Sequence, residues 1–140
     1  MHLRPFQGED WDAVCEIYDL SKPDEMRDVV DPQSLLPLVN DEAMTRLFRV
    51  SQIVVAEEAA RVVGFAGHRG SFITWLFVHP QFRRRGIAKA LVHDLIARLE
   101  HHYSQRRIGE RRGVRVVCAA RFQSRARASR QLSGLVVQCL

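Results

Sequence analysis

Hydrophobic residues along the chain follow two patterns that predict two kinds of element. Runs rich in β-branched and aromatic residues predict strands, which are expected at residues 2–6, 53–58, 61–69, 72–78, 113–119 and 135–137. Apolar residues three and four apart predict helices, which are expected at residues 10–21, 35–50, 87–100 and 124–132. This mixture of strands and helices predicts an α/β domain.

Polar residues and prolines indicate where these elements begin and end. Asp10 is expected to cap the first helix, which should fade near Ser21–Pro23 because proline disrupts helical hydrogen bonds. Residues 22–33 hold two prolines and several acidic side chains, so a loop is expected there. Pro37 is compatible with the first turn of the second helix. A tight turn is expected at Ala59–Ala60, between two strands.

A short basic segment joins the strand at residues 72–78 to the helix that begins at Ile87. It contains Arg83–Arg85 and Gly86. The first N–H groups of a helix lack internal partners, and glycine lets a ligand approach the backbone closely. Arginine adds forked donors that suit phosphate oxygens. The segment alone is compatible with either a pyrophosphate-binding loop or a basic surface turn.

This segment and the strand before it resemble the coenzyme A loop of the GNAT superfamily of N-acetyltransferases. The family's pattern is Gln/Arg-x-x-Gly-x-Gly/Ala, and the sequence from Arg83 to Ala88 reads Arg-Arg-Arg-Gly-Ile-Ala. Residues 76–80, Leu-Phe-Val-His-Pro, resemble the end of the family's fourth strand. The similarity is most specific over residues 72–100.

The resemblance implies a fold, a reaction and a set of ligand-binding residues. It implies one N-acetyltransferase domain over residues 1–140, with a twisted mixed sheet of about six strands flanked by helices on both faces. The strand at 113–119 should run parallel to the strand at 72–78, because a helix intervenes. The implied reaction transfers an acetyl group from acetyl-CoA to a primary amine of a small molecule or protein. The implied coenzyme A contacts are Phe77, Val78, Arg83, Arg84, Arg85, Gly86, Ile87, Ala88 and Lys89.

The catalytic base is not given by the resemblance. Many members carry a glutamate in the fourth strand, where this chain has Ile73 and Thr74. The remaining candidates for a base are listed in chain order: Glu57, Glu58, His68 and His79. His79 adjoins the basic segment, and a histidine changes protonation near neutral pH. The alternatives are a surface histidine at a strand end and solvated glutamates.

The C-terminal part of the chain departs from the family. Members usually carry Asn-x-x-Ala-x-x-Phe-Tyr-x-x-x-Gly-Phe, whose tyrosine often protonates the departing thiolate. The corresponding spacing here runs from Gln123 to Leu135 and places Arg130 at the tyrosine position. A general acid therefore cannot be carried over. An inactive regulatory domain that binds acetyl-CoA remains an alternative function.

Charged side chains are segregated between the two halves of the chain. Residues 1–60 carry 5 basic and 13 acidic side chains, whereas residues 61–140 carry 16 basic and 3 acidic ones. The basic half indicates an anionic ligand, either coenzyme A or nucleic acid. A nucleic-acid-binding module is thus a second alternative, disfavoured because no aromatic residues interleave with the arginines.

Acidic residues cluster in the region that lines the acceptor side in the resembled family. They are Asp19, Asp24, Glu25, Asp28 and Asp31. Their charge would attract a cationic amine, and a solvated surface loop is the alternative explanation for each single residue. A cationic acceptor is therefore expected.

Composition and cysteine spacing bear on the class of protein, on metal or disulfide sites and on location. With 46% hydrophobic and 26% charged residues, the chain has the composition of a globular protein. Three well-separated cysteines match no zinc or disulfide spacing, so free thiols and no metal site are expected. No apolar run is long enough for a membrane span and no signal peptide is evident, so we expect a cytoplasmic protein without membrane partners. An exposed last strand at 135–140 would favour a homodimer.

Overall fold

A computed structural model of the protein describes residues 1–106, 115–118 and 136–139. Its strands are β1 (His2–Pro5), β2 (Gln52–Glu58), β3 (Arg61–Arg69), β4 (Phe72–Val78), β5 (Arg115–Cys118) and β6 (Val136–Cys139). Its α-helices are α1 (Trp11–Glu25), α2 (Glu42–Arg49) and α3 (Ile87–Arg106). Short 3-10 turns lie at Gly8–Asp10, Pro32–Ser34, Leu38–Asn40 and Pro80–Phe82. None of the helices in these ranges has the length and apolar character that crossing a membrane requires.

The first four strands form an antiparallel sheet in the order β1-β2-β3-β4, and each strand pairs with its neighbour in the chain. In the described ranges, β5 and β6 form a separate parallel pair. β5 lies beside β4 without a hydrogen-bonded ladder between them. The expectation of one mixed sheet of about six strands is therefore not confirmed.

Helices cover both faces of the four-stranded sheet, as the sequence predicts. On one face, α3 buries one residue per turn against the sheet: Ile87, Leu91, Leu95 and Leu99. This spacing of four places the side chains on one stripe, and each buried side chain contributes about 1.5–3 kcal/mol. On the other face, α1 and α2 pack against a cluster of aromatic rings that includes Tyr18, Phe48, Phe65, Trp75 and Phe77.

Asp10 stabilises the start of α1 differently from the predicted cap. Its side chain makes no capping bond to α1. Instead, its carboxylate accepts a hydrogen bond from the backbone N–H of Gln7 at 2.8 Å and a forked pair of bonds from Arg4 at 2.7 and 2.8 Å. Asp10 is only 5% exposed, so this interaction joins β1 to the first helix through a largely buried ion pair.

The two helices of the first half have different limits from those predicted. α1 continues through Pro23 to Glu25, and the N–H of Met26 still reaches the carbonyl of Lys22 at 3.0 Å. The helix predicted over residues 35–50 begins only at Glu42, since Asp41 caps it by accepting from the N–H of Met44 at 3.1 Å. The preceding residues form 3-10 turns and loop segments instead.

Most other predicted elements agree with the structure within a few residues. The β2–β3 turn lies at Ala59–Ala60, as predicted. β5 and β6 fall within or close to the predicted strands. The helix predicted at 124–132 and the segment from Gln123 to Leu135, including Arg130, lie outside the described residues.

Candidate active site

The segment between β4 and α3 exposes backbone donors at the start of a long helix. The carbonyl of Gly86 accepts the first helical hydrogen bond, from the N–H of Ala90 at 3.0 Å. The N–H groups of Ile87, Ala88 and Lys89 have no acceptor in the described part of the chain. Because α3 spans 20 residues, its dipole adds partial positive charge at these donors.

The backbone just before α3 takes a left-handed conformation at two positions. Arg84 has a φ of +65° and Gly86 a φ of +82°. Alternating backbone handedness turns successive N–H groups toward one side, which favours anions. A Cβ atom added at Gly86 would meet no atom within 4 Å. The approach to the first turn of α3 is therefore open.

The basic side chains of this segment divide into paired and unpaired groups. Arg83 bonds to Asp24 at 2.7 Å, and Arg85 bonds to Glu58 at 3.2 Å. The exposed side chains of Arg84 and Lys89 have no ion-pair partner among the described residues. The segment thus holds two uncompensated cations beside the unpartnered N–H groups, an arrangement suited to phosphate oxygens.

The strand before this segment, β4, has one edge that forms no hydrogen-bonded ladder in the described part of the chain, although β5 lies beside β4. The N–H of His79 bonds to the carbonyl of Val63 at 2.9 Å. Along an antiparallel pair, the N–H and C=O groups of successive residues point alternately toward and away from the neighbouring strand. The backbone groups of Phe77 therefore point toward β3, where Phe77 pairs with Phe65. The backbone groups of Val78 therefore face the opposite edge.

Two side chains occupy part of that edge. The Val78 carbonyl accepts from Ser21 Oγ at 3.2 Å and from Arg83 Nε at 3.4 Å. By the same alternation, Leu76 also directs its backbone groups away from β3. Leu76 and Val78, rather than Phe77, thus present the donors and acceptors that an extended ligand could use. The backbone groups of Phe77 are directed toward β3, and its predicted contact with coenzyme A stays a prediction.

His79 lies at the end of β4 but is 3% exposed. Its Nδ1 accepts a hydrogen bond from the N–H of Gln81 at 3.2 Å, which places the ring proton of the neutral form on Nε2. Nε2 lies 3.4 Å from Arg61 and 3.7 Å from Glu16. This ring stabilises the turn at Pro80–Phe82, and its role as a base stays a prediction.

The other candidate bases contact different partners. Glu57 is bonded to Arg4 at 2.8 Å, within the ion-pair group that includes Asp10. Glu58 reaches the basic segment through Arg85. His68 is buried and contacts the carbonyl of Gly70 at 3.1 Å. Both glutamates are already engaged by arginines, so their roles as bases also stay predictions.

The last turns of α1 contribute Tyr18 and Ser21, which sequence reasoning did not assign to the site, and Glu25, which it named only as one of several acceptor-side acids. Tyr18, Ser21 and Glu25 are spaced three and four apart and share a helix face. Burial raises the pKa of Tyr18 to about 12, with smaller contributions from Asp41 and Glu25. Burial also raises the pKa of Glu25 above its ordinary value, although Lys22 and Arg83 oppose this. The spacing was visible in the sequence, but Pro23 indicated that the helix had ended.

Neither a metal site nor an activated Cys15 thiol is found among the described side chains. No group of three or more potential ligands is placed to hold a metal ion there. Cys15 is a free, half-buried thiol, and burial raises its pKa to about 11. A thiol with a raised pKa is a poor nucleophile at neutral pH.

Comparison with known proteins finds a matching family and a similar protein. The Acetyltransferase (GNAT) domain family matches residues 22–110. An acetyltransferase from Photorhabdus laumondii is 37% identical over 102 residues, which cover 71% of this chain and 64% of that protein. The present chain therefore spans just under two thirds of that relative's length.

Two solved structures share the fold at low sequence identity. A GCN5-related N-acetyltransferase from Rhodopseudomonas palustris is 23% identical with a TM-score of 0.62, covering 73% of this chain and 67% of that one. The PaiA N-acetyltransferase from Thermoplasma acidophilum, solved in complex with coenzyme A, is 12% identical with a TM-score of 0.63 and 73% of each chain covered.

Proposed function

The chain belongs to the GNAT acetyltransferase family, and from that premise we propose that it transfers the acetyl group of acetyl-CoA to a primary amine. The observation that carries this proposal is the row of unpartnered N–H groups at the start of α3, which is opened by Gly86 at a φ of +82°. A structural neighbour with coenzyme A bound supports the choice of ligand. The acceptor is a small molecule or a protein.

Each part of the proposed site has one task in binding acetyl-CoA. The first N–H groups of α3 would hold the pyrophosphate, and Arg84 and Lys89 would neutralise its charge. The open edge of β4 at Leu76 and Val78 would pair with the extended pantetheine arm. Such contacts fix the thioester in position for direct attack by a neutral amine, and positioning of this kind lowers the barrier considerably.

The test of the proposal is binding of acetyl-CoA measured as a shift in Tm. At about 100 times its Kd, a ligand stabilises the folded state by about 2.7 kcal/mol, which raises Tm by roughly 5–15 °C in a domain of this size. Gly86→Val should abolish the shift, because a branched side chain blocks the approach and disfavours the left-handed backbone. Arg84→Ala should reduce the shift in part and make it less sensitive to salt.

Gly70→Val is the matched control for backbone strain. Gly70 also has a positive φ, of +59°, and a Cβ there would meet no atom within 4 Å. This variant should lose a similar amount of stability but keep the acetyl-CoA shift. A chain stabilised by an oligonucleotide and not by acetyl-CoA would instead be a nucleic-acid-binding module. Binding of acetyl-CoA with no amine-dependent release of CoA would indicate an inactive regulatory domain.

A further inference from the structure

We propose that Glu25 and the ring of Tyr18 form the subsite that binds the acceptor's primary ammonium group, and that Glu25 removes its proton before the amine attacks. This inference rests on the proposed acetyltransferase function and names the chemical class of its acceptor. The evidence is the position of these residues on α1, an unsatisfied carboxylate oxygen, and the cation that now lies between them.

The position follows from contacts between α1 and β4. The rings of Tyr18 and Phe77 lie 5.2 Å apart between centroids, and Ser21 Oγ lies 3.2 Å from the Val78 carbonyl. Glu25 is one turn beyond Ser21, so its side chain continues the same helix face. This face therefore runs beside the strand whose open edge is proposed to hold the pantetheine arm.

Glu25 carries a carboxylate oxygen that accepts no hydrogen bond, although it forms an ion pair with Lys22. Its Oε2 is buried and accepts no hydrogen bond in the described part of the chain. A buried carboxylate without full hydrogen bonding costs folding free energy, so a ligand donor there would be favourable. The buried indole N–H of Trp75, whose ring lies 5.9 Å from that of Tyr18, also has no acceptor among the described residues.

Lys22 indicates which chemical group this subsite accepts. Its Nζ lies 3.6 Å from Glu25 Oε2 and 5.3 Å from the centroid of the Tyr18 ring. A primary ammonium group thus already lies between a carboxylate and an aromatic face, a combination that attracts alkylammonium ions. We expect an acceptor ammonium to displace Lys22, whose flexible side chain can turn toward solvent.

Three of the four neighbouring carboxylates bind other partners, and the fourth, that of Asp28, is exposed. Asp19 accepts from the N–H of Leu38 at 2.8 Å, and Asp24 is bonded to Arg83. Asp31 accepts from the N–H of Gln33 at 3.0 Å. In the acidic region predicted to attract a cation, Glu25 is therefore the one residue with a buried carboxylate oxygen that accepts no hydrogen bond. A primary ammonium group, that of Lys22, forms an ion pair with this oxygen.

The proposed step conserves protons and electrons. Glu25 as a carboxylate takes one proton from the acceptor ammonium, which leaves a neutral amine. The amine nitrogen attacks the thioester carbonyl, a C–N bond forms and the C–S bond breaks. The second nitrogen proton passes to the departing thiolate, giving an amide and CoA, and Glu25 releases its proton to solvent.

The environment of Glu25 suits this exchange. Two cations face the carboxylate, Lys22 on α1 and Arg83 on the loop, while burial has the larger and opposite effect. Because burial raises the pKa of Glu25, the group binds a proton more readily than an exposed glutamate. A base is most effective when its pKa approaches the working pH.

The experiment compares Glu25→Gln with Glu42→Gln in steady-state assays using a panel of primary alkylamines and acetyl-CoA. Glu42 lies on α2 with its side chain 87% exposed, so its variant controls for the same chemical change. Glu25→Gln should reduce kcat/KM for amines by about 100-fold or more, and should leave the Tm shift with acetyl-CoA unchanged. It should also remove the loss of kcat/KM that wild type shows as pH falls through the pKa of Glu25.

Glu25→Asp keeps the charge and provides a second measurement if the glutamine variant does not fold. It should retain the acidic limb of the pH profile with reduced kcat, because the shorter side chain misplaces the carboxylate. If wild type acetylates amines and Glu25→Gln stays within twofold of Glu42→Gln, the inference is wrong and the proposed function stands. If acetyl-CoA binds and wild type acetylates no amine, both the inference on Glu25 and the proposed acetyltransferase function are wrong.

Discussion

At the scale of single residues, the ion pair between Arg4 and Asp10 carries much of the connection between β1 and α1. The guanidinium donates two bonds to Asp10 and one to Glu57. The side chain of Arg4 is 19% exposed, that of Asp10 is 5% exposed and that of Glu57 is 27% exposed. Breaking such a pair leaves a charge partly buried without its partner, which costs more than losing an exposed pair.

Asp10→Asn should therefore lower the free energy of unfolding by about 1.5–3 kcal/mol, measured by urea denaturation at pH 7. The Arg4 hydrogen bonds lower the pKa of Asp10. The stabilisation is then fully present above the unfolded-state pKa, near 4, and is lost as pH falls through the lower folded-state pKa. The Asp10→Asn variant should not show this part of the loss of folding stability at low pH. Asp28→Asn, at an exposed position, is the control and should change stability by less than about 0.5 kcal/mol.

Positions that depend on local chain geometry could be predicted, whereas those defined by tertiary contacts could not. The succession of a strand, a glycine and a helix predicted the start of α3 at Ile87, and Gly86 before it has a positive φ. Their contacts with coenzyme A, which the family resemblance implies, stay predictions. Glu25 was visible only as one of several acids in a supposed loop. Its distinguishing property is burial against another element, which no local pattern reports.

At the scale of elements, the β2–β3 turn is the clearest departure from local preference. Ala59 and Ala60 have φ values of +48° and +60°, a conformation in which the Cβ crowds the carbonyl oxygen. Two consecutive left-handed residues are typical of a type I′ hairpin, for which Asn-Gly is preferred. The flanking strands pair well enough to hold two alanines in this conformation.

Ala59→Asn with Ala60→Gly should relieve this strain and stabilise the protein by about 1–2 kcal/mol. The expected rise in Tm is roughly 3–10 °C, measured by differential scanning calorimetry. The control is Ala43→Gly in α2, an exposed position. The Ala43→Gly variant should be less stable than wild type by up to about 1 kcal/mol, because glycine has no advantage at a right-handed φ. An unchanged or lower Tm in the double variant would contradict the strain argument.

The strands were predicted better than the helices for a physical reason. β2 and β3, for example, contain runs of apolar residues that are buried on both faces, so their composition alone indicates strands. The helix limits depend on competing interactions. Pro23 is tolerated near the end of α1, where few helical bonds remain to lose, and the cap at Asp41 ends the irregular segment that contains Pro37.

At the scale of the whole molecule, the acidic first half and the basic second half meet at the proposed coenzyme A loop. Arg83 binds Asp24 and Arg85 binds Glu58, so the first half neutralises two of the loop's three arginines. Phosphate groups bound there would compete with these carboxylates. The chain's charge segregation, visible in the sequence, thus bears on ligand affinity as well as on the kind of ligand.

Glu58→Gln tests this competition and also the predicted role of Glu58 as a base. Removing the carboxylate frees Arg85, and an exposed ion pair is worth about 0.2–1 kcal/mol, so acetyl-CoA affinity should rise by up to about fivefold. Calorimetric titration at low salt measures the gain, which should shrink at about 1 M salt, where the charges are screened. Glu42→Gln, which breaks the exposed pair with Arg46 on α2, should leave affinity unchanged. A fall in kcat of about 100-fold without tighter binding would instead assign the base to Glu58.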